Sequence, residues 1–158
     1  MIEGLLRIPL QRFEDERGWF TEIRRESLLP KRTTQTNVSF SRKGVLRGLH
    51  YHERGQDDLF VCLQGTARVV VLDRESGETF SEDIGDDNPF AIYIPGRHAH
   101  GFEALTDLFF CYHVTEEYDP ADPDEHGICW ADPRVKRLWS TDTPLLSERD
   151  LHACDACL

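Results

Sequence analysis

The sequence has no long apolar run and no excess of positive charge, and these two absences exclude whole classes of function. No stretch approaches the ~20 consecutive apolar residues that a membrane-spanning helix needs. The chain carries 18 Lys and Arg against 29 Asp and Glu, a formal net charge of −11. Such a field repels phosphate, so we expect no general binding to nucleic acid or to anionic membranes. Any anionic ligand must therefore be held by arginines that are placed locally.

The first residues, 1–4, lack both the basic and the apolar segment of a signal peptide, so we expect a cytoplasmic protein. Internal repeats, linkers and low-complexity segments are also lacking. A chain of 158 residues with 39% hydrophobic residues suits one domain with its own core. We therefore expect a single domain over residues 1–158.

Cysteine is scarce, and its five copies are an odd number. Cys62, Cys111 and Cys129 stand in apolar, strand-like surroundings, where we expect buried free thiols. Cys154 and Cys157 form a CxxC in the last five residues. Because zinc usually needs four ligands, this lone CxxC indicates a feature of a flexible tail over 151–158 rather than a metal or redox site.

Short alternating apolar segments recur about every ten residues, and each ends at Gly, Pro, Asn or Asp. This pattern is typical of an all-β sandwich or barrel. We expect residues 59–63 and 67–73 to pair as a hairpin around Gly65. Beyond Pro120 the chain is irregular, and residues 147–151 predict a helical turn.

The strand predicted over 33–40 has one polar face. Alternation places Gln35, Asn37 and Ser39 together on that face. Three small polar side chains in a row fit either a solvent-exposed surface or a polar cavity. The sequence alone leaves both alternatives open.

Residues 44–52 hold an arginine and two histidines, and the rest of the chain is organised around this stretch. In a regular strand, His50 and His52 share one face and Arg47 lies on the other. In a first interpretation, His50 is a general base oriented by a carboxylate, and a tyrosine is the opposing acid. Such an arrangement suits the removal of a proton next to a carbonyl and its return from the other side.

A second interpretation from the same residues is a metal site. His50, His52, Asp58 and His100 have a spacing close to the metal motifs of cupins. Three histidines and a carboxylate are a suitable ligand set for Fe, Mn, Ni or Zn.

Seven motifs give the chain a resemblance to a known family. In family order over residues 5–150, the sequence resembles the dTDP-4-dehydrorhamnose 3,5-epimerases, the RmlC-type sugar-nucleotide epimerases. The matching segments are 15–22 (DERGWFTE), 35–39 (QTNVS), 44–51 (GVLRGLHY), 94–102 (IPGRHAHGF), 112–120 (YHVTEEYDP), 127–133 (GICWADP) and 144–150 (PLLSERD).

The resemblance implies a cupin-type jelly-roll barrel that works as a homodimer without a metal or other cofactor. It implies inversion at C3, C5 or both of a nucleotide-linked 4-keto-6-deoxyhexose, usually dTDP-4-dehydro-6-deoxyglucose. By position, His50 matches the base, Asp150 its paired carboxylate and Tyr112 the opposing acid. The positions that match substrate-binding residues are Arg17, Phe20, Glu22, Gln35, Asn37, Arg47, His100 and Tyr118.

Two positions depart from the family pattern. Asp58 stands where the family usually has a lysine that stabilises charge on the C4 oxygen, and His52 stands where it generally has glutamine. An ionised carboxylate cannot stabilise an enolate. Both changes move the site toward a metal-binding cupin or the related 3,4-ketoisomerases, and a catalytically silent sugar-nucleotide-binding protein is a further alternative. The motifs that contain Tyr112 and Asp150 favour the epimerases, and an epimerase is our prediction.

Overall fold

The alternating segments form β-strands in a computed structural model that describes residues 1–155. Within that range the helices are one α-helix and two short 3-10 turns, Glu26–Leu28 and Lys136–Leu138. The strands and the helix are β1 Leu6–Pro9, β2 Arg12–Asp15, β3 Gly18–Thr21, β4 Gln35–Ser41, β5 Leu46–Tyr51, β6 Asp57–Gln64, β7 Thr66–Leu72, β8 Thr79–Gly85, β9 Phe90–Pro95, β10 Ala99–Ala104, β11 Leu108–Val114, β12 His126–Gly127 and α1 Glu148–Asp155.

Ten of these strands build two facing antiparallel sheets, in the orders β1-β9-β6-β11-β4 and β12-β5-β10-β7-β8. The inner faces meet in a core that contains Phe60 and Ile92 from the first sheet and Val69 from the second. Phe102 and Phe110 stack across this core with ring centroids 3.9 Å apart. The all-β jelly-roll prediction is confirmed, and β2 and β3 form a separate two-stranded hairpin.

Irregular segments cover the outer faces of both sheets. Leu10 packs with partly buried Ile23 and Leu29 on the first sheet, while Val135 and Trp139 pack on the second. Val135 is fully buried and Trp139 is 6% exposed, and burying such side chains stabilises the fold by about 2 kcal/mol each. This packing fixes the carboxy-terminal segment, which leads into α1, against the sheet that contains β5.

The hairpin expected around Gly65 is wrong. β6 pairs with β9 and β11, whereas β7 pairs with β8 and β10, so the two consecutive strands lie in different sheets. The chain crosses from one sheet to the other at Gly65, which has φ +87° and where a side chain would meet the backbone of Asp107. Only glycine fits this crossing without strain.

The carboxy-terminal segment is more ordered than its sequence predicts. α1 covers the predicted helical turn and also residues 151–155 of the predicted flexible tail. Cys129 is bonded to Cys154, so the expectation of a free thiol at Cys129 is wrong. Cys62 and Cys111 are confirmed as buried free cysteines, and burial, with the charge of Asp86, raises the pKa of Cys62 to about 12.

Cys157, the second cysteine of the CxxC, lies outside the described residues. Among residues 1–155, no helix has the length and apolar character that crossing a bilayer requires.

Candidate active site

A cavity of about 300 Å³ lies between the two sheets and gathers most of the residues singled out above. β4, β6 and β11 supply one wall, β5 and β10 the other, and α1 with the segment before it closes one side. The residues that line it are Ser39, Arg47, His50, His52, Gln56, Asp58, Phe60, His100, Gly101, Phe102, Tyr112, Glu125, Ser147, Arg149 and Asp150.

A β-bulge in β5 brings Arg47 and His50 to this cavity together. His100 of β10 pairs with His50, but Phe102 pairs with Arg47, so three steps along β5 match two along β10. At the bulge, Gly48 has φ +137°, and a Cβ there would lie 2.8 Å from Gly101 Cα. The prediction that Arg47 and His50 lie on opposite faces is therefore wrong, because a bulge interrupts the two-residue period.

His50 and Asp150 form the closest polar pair of the cavity. His50 Nε2 lies 2.7 Å from Asp150 Oδ1, and the Gly48 N–H donates to Asp150 Oδ2 at 3.4 Å. Burial alone would raise the pKa of Asp150, but the hydrogen bond and charge of His50 outweigh it, and the pKa lies below its ordinary value. An ionised Asp150 accepts a hydrogen bond from His50 Nε2–H, so the lone pair of the neutral ring is on Nδ1.

Tyr112 lies on the wall that faces His50. It belongs to β11, and its ring packs edge-on against Phe60 with centroids 6.4 Å apart. Burial, followed by the negative charge of Asp58, raises the pKa of Tyr112. The phenol therefore stays protonated and can donate a proton from the side opposite the imidazole.

The polar face of β4 lines a cavity rather than open solvent. Gln35 and Asn37 border an adjoining cavity of about 250 Å³ that shares Tyr112 with the first, and Ser39 borders the first cavity. Gln35 Nε2 donates to Asn37 Oδ1 at 2.9 Å, and the Tyr118 N–H donates to Gln35 Oε1 at 2.9 Å. Of the two alternatives left open by the sequence, the polar cavity is confirmed.

Two arginines supply positive charge at the cavity. Arg47 donates from Nε to Ser41 Oγ at 3.1 Å and from Nη2 to the Phe40 carbonyl at 3.3 Å. Arg149, in the first turn of α1, pairs with Glu125, and both residues line the cavity. The sequence analysis missed Arg149, although it stands beside Asp150 in the 144–150 motif. Guanidinium groups in such a position can bind phosphate oxygens bidentately.

Arg17, Phe20 and Glu22 do not line the cavity of their own chain. Arg17 pairs with Asp15 in the β2–β3 hairpin, and Glu22 accepts hydrogen bonds from Arg25. Phe20 is 63% exposed. The structure therefore separates these three residues from the other sequence-predicted site residues.

A buried cluster of His52, Asp58 and His100 lies deeper in the cavity. His100 Nε2 is 3.3 Å from Asp58 Oδ2, and His52 Nε2 is 3.8 Å from Asp58 Oδ1. Burial lowers the pKa of His52. Burial alone would raise the pKa of Asp58, but the hydrogen bond and the charge of His100 outweigh it, and the pKa of Asp58 lies below its ordinary value. Their three ligand atoms lie within 4.8 Å of one another, so this cluster could hold a metal. His50 is separate from it, because its ring is bound to Asp150.

Comparison with known proteins shows the family of this chain. A family model described as dTDP-4-dehydrorhamnose 3,5-epimerase matches residues 1–156. The chain belongs to this family. The assignment made from the sequence motifs is confirmed, and so is the class of enzyme, an isomerase.

Three similar proteins illustrate the range of the dTDP-4-dehydrorhamnose 3,5-epimerase family. The spore coat polysaccharide biosynthesis protein SpsL of Bacillus subtilis is 37% identical over 90% of this chain and 99% of its own. A dTDP-4-dehydrorhamnose 3-epimerase of Streptomyces niveus is 35% identical over 96% of this chain and 79% of its own length. The solved structure of a Legionella pneumophila dTDP-6-deoxy-D-glucose-3,5-epimerase, in complex with dTDP-4-keto-L-rhamnose, has a TM-score of 0.85 and 33% identity over 96% and 87%.

Proposed function

We propose that this protein epimerises a nucleotide-linked 4-keto-6-deoxyhexose, a dTDP-4-dehydro-6-deoxyglucose, at C3, C5 or both, in deoxysugar biosynthesis. The observation that carries the proposal is the His50–Asp150 pair on one wall of a cavity with Tyr112 on the opposite wall. A base and an acid on opposite sides of a sugar ring are what inversion at a carbon next to a ketone requires. Both 3- and 3,5-epimerases are among the relatives at similar identity.

Each inversion proceeds in two proton transfers. His50 removes the proton from the carbon next to the C4 ketone, and the electron pair of that C–H bond moves to the C4 oxygen. Asp150 stabilises the imidazolium that forms and holds its orientation. Tyr112 then gives its proton to the opposite side of the carbon as the carbonyl re-forms, and solvent restores both side chains to their starting protonation states.

Local arginines explain how an acidic protein could hold the diphosphate. Arg47 lines the cavity between the sheets and Arg149 adjoins it from α1. Gln35, Asn37 and Tyr118 line the adjoining cavity, which we assign to the nucleotide side of the substrate, while the reacting sugar ring lies between His50 and Tyr112 in the first cavity. His100, which lines the buried end of the first cavity, is also assigned to substrate binding.

A homodimer is part of the proposal, and it gives Arg17, Phe20 and Glu22 a role. The β2–β3 hairpin exposes Phe13, Trp19 and Phe20, which are 53%, 50% and 63% exposed. Apolar aromatic rings on a projecting hairpin favour contact with a second subunit. We propose that this hairpin reaches the cavity of the partner subunit and brings the three residues to its substrate. The cytoplasmic location expected from the sequence is also part of the proposal.

Mixed dimers test this sharing of sites. The variants His50→Asn and Arg17→Ala are each expected to be inactive alone. After unfolding and refolding together, one site in each mixed dimer would be intact, so about a quarter of the wild-type activity should return. A monomer at micromolar concentration in sedimentation experiments, or no recovery on mixing, would contradict the shared site.

Solvent exchange tests the reaction itself. The protein is incubated with dTDP-4-dehydro-6-deoxyglucose in D2O, and the sugar protons are followed by NMR. Deuterium at C3 and C5 identifies a double epimerase, and deuterium at C3 alone identifies a 3-epimerase. Migration of the carbonyl to C3 would instead identify a 3,4-ketoisomerase, and absence of exchange at both carbons would refute the proposal.

A further inference from the structure

The His52–Asp58–His100 cluster has the size of a metal coordination sphere. Metal–ligand bonds of about 2.0 to 2.2 Å place neighbouring ligand atoms about 3 to 3.5 Å apart. The observed separations are 3.3 Å from Asp58 Oδ2 to His100 Nε2 and 3.8 Å from Asp58 Oδ1 to His52 Nε2, so the second must shorten by a few tenths of an ångström around an ion. All three residues are at least nine-tenths buried, yet all three line the cavity. An ion held between them would therefore still face a ligand.

Hydrogen bonds to the backbone fix both imidazoles in the form that binds metals. His52 Nδ1 lies 2.5 Å from the Asp124 carbonyl, and His100 Nδ1 lies 2.8 Å from the His98 carbonyl. A carbonyl only accepts hydrogen bonds, so each Nδ1 carries the hydrogen. In the neutral rings, both Nε2 lone pairs then point toward Asp58, as outer hydrogen bonds orient metal-binding histidines in general.

Two lone pairs and a carboxylate that face one another repel unless a proton or a metal ion lies between them, and a metal ion takes the place of the proton when it binds. Gln56 offers partial relief, because its amide donates to Asp58 Oδ1 at 2.8 Å and lies 3.1 Å from His52 Nε2. It gives no such contact between His100 Nε2 and Asp58 Oδ2. A rotation of about 180° of the Gln56 side-chain amide would exchange its nitrogen and oxygen and present the oxygen to the cluster as a further ligand.

We propose that His52, Asp58 and His100 bind one divalent first-row transition ion per chain. Two imidazoles and one carboxylate suit Fe, Mn, Co, Ni or Zn and leave coordination positions open toward the cavity. A divalent ion bound by one aspartate carboxylate and two neutral imidazoles leaves one net positive charge in a buried site. Such a centre stabilises negative charge that forms on a carbonyl oxygen.

The catalytic role of this ion rests on the proposed function. When His50 takes the proton beside the ketone, the electron pair moves to the C4 oxygen, and the bound ion stabilises the resulting enolate. The negative charge of Asp58, which by itself opposes an enolate, is then neutralised by the ion. The site and its role are tested separately, because only the role needs turnover.

Metal titration of the whole chain tests the site. Protein stripped with a chelator is titrated with Co²⁺ and with Zn²⁺ by calorimetry, and the visible spectrum of the Co²⁺ form is recorded. We expect one ion per chain, and at least about tenfold weaker binding in Asp58→Asn and His52→Gln. His50→Asn is the matched control and should bind as the wild type does, because its ring contacts Asp150 and not the cluster. No saturable ion in the wild type, or equal binding in all variants, would overturn the site.

Solvent exchange with stripped and reloaded protein tests the role. We expect the stripped protein to exchange the sugar proton at least about tenfold more slowly, and Co²⁺ or Zn²⁺ to restore the rate. Full-rate exchange without the ion would overturn the role while leaving the epimerase proposal intact. A bound ion with no exchange in either form would refute the epimerase proposal and this role, while the titration would still establish the site.

Discussion

Asp150 is a buried carboxylate that stays ionised because its partners outweigh the cost of burial. The His50 ring and the Gly48 N–H each donate to one of its oxygens. Its position in the first turn of α1 adds the favourable end of the helix dipole. The pair joins residues 100 positions apart, so no local pattern could predict it; only the motif resemblance linked the two.

Replacing Asp150 by Asn tests the pair. The amide keeps the size of the side chain but cannot stabilise an imidazolium, so we expect the solvent-exchange rate to fall by about 100-fold or more. Substrate affinity, measured by calorimetry, should change little. Asp155→Asn, at the exposed end of the same helix, is the matched control and should exchange at the wild-type rate. A loss of rate below tenfold in Asp150→Asn would contradict the assigned role.

Gly48 is the residue on which the bulge depends. In Gly48→Ala, a Cβ would lie 2.8 Å from Gly101 Cα and 3.0 Å from the His100 carbonyl, at φ +137°. The control Gly77→Ala shares the positive φ but has open space around the new atom. We expect the control to lose about 1 kcal/mol of unfolding free energy and Gly48→Ala to lose at least about 2 kcal/mol. Urea denaturation measures both, and equal losses would show that the contact with β10 is unimportant.

At the scale of single residues, the chemical roles of side chains were more predictable than the sheet face toward which each side chain points. The residue types around His50 suggested a general base, the motif resemblance added Tyr112 and Asp150, and the structure places all three at one cavity. The direction of Arg47 could not be predicted, because the bulge is set by the close approach of β5 to β10. Sequence spacing grouped His52, Asp58 and His100 with His50 as a possible metal set; the structure keeps the first three together and places His50 apart from them, against Asp150.

At the scale of elements, β11 connects the core to the site. It pairs with β4 on one side and β6 on the other, and it carries both Tyr112 and His113. His113 Nδ1 lies 2.8 Å from Thr36 Oγ1 of β4, on the face away from the cavity. Burial, and then the charge of Arg24, lowers the pKa of His113.

The lowered pKa of His113 predicts a loss of stability in acid. The unfolded chain binds a proton at this residue near pH 6.5, whereas the folded chain does so only at lower pH. Because the unfolded state then holds more protons, the free energy of unfolding contributed here falls as the pH drops below about 6.5. Urea titrations at pH 7.5 and pH 5.5 should show a smaller difference for His113→Gln than for the wild type. His152→Gln, an exposed imidazole of α1, is the control; an unchanged difference in His113→Gln would refute the prediction.

The elements themselves were predictable from the two-residue period, but their partners were not. β6 and β7 read as a hairpin because they are adjacent and joined by a glycine turn. Each in fact carries apolar side chains into the same core from opposite sheets, and Gly65 makes the crossing. Alternation reports which face of a strand is buried, and it contains no information about which strand lies beside it.

At the scale of the whole molecule, one covalent bond holds the last helix to the barrel. The Cys129–Cys154 bond closes a loop of 25 residues that contains the segment packed on the second sheet. No sequence pattern indicated this pairing, since Cys129 resembles a core residue and Cys154 belongs to a CxxC. Which cysteines meet depends on where the irregular segment after β12 returns to the sheet.

Removing the Cys129–Cys154 bond should lower the free energy of unfolding. We expect Cys154→Ser to lower the free energy of unfolding by about 3 kcal/mol, as closure of a loop of this length predicts. Dithiothreitol should lower the free energy of unfolding of the wild type by a similar amount. The reductant should leave that of Cys154→Ser unchanged, so the variant is the control for any other effect of the reductant. A wild type that is insensitive to the reductant would contradict a stabilising bond.

The same bond also bears on catalysis, because it lies on the helix that carries the catalytic carboxylate. Cys154 stands one helical turn after Asp150, so the sulfur that anchors α1 and the carboxylate that orients His50 lie on neighbouring turns of one helix. In the reduced protein, α1 is held by non-covalent contacts alone. We therefore expect protein reduced with dithiothreitol to exchange the sugar proton more slowly than the oxidised protein.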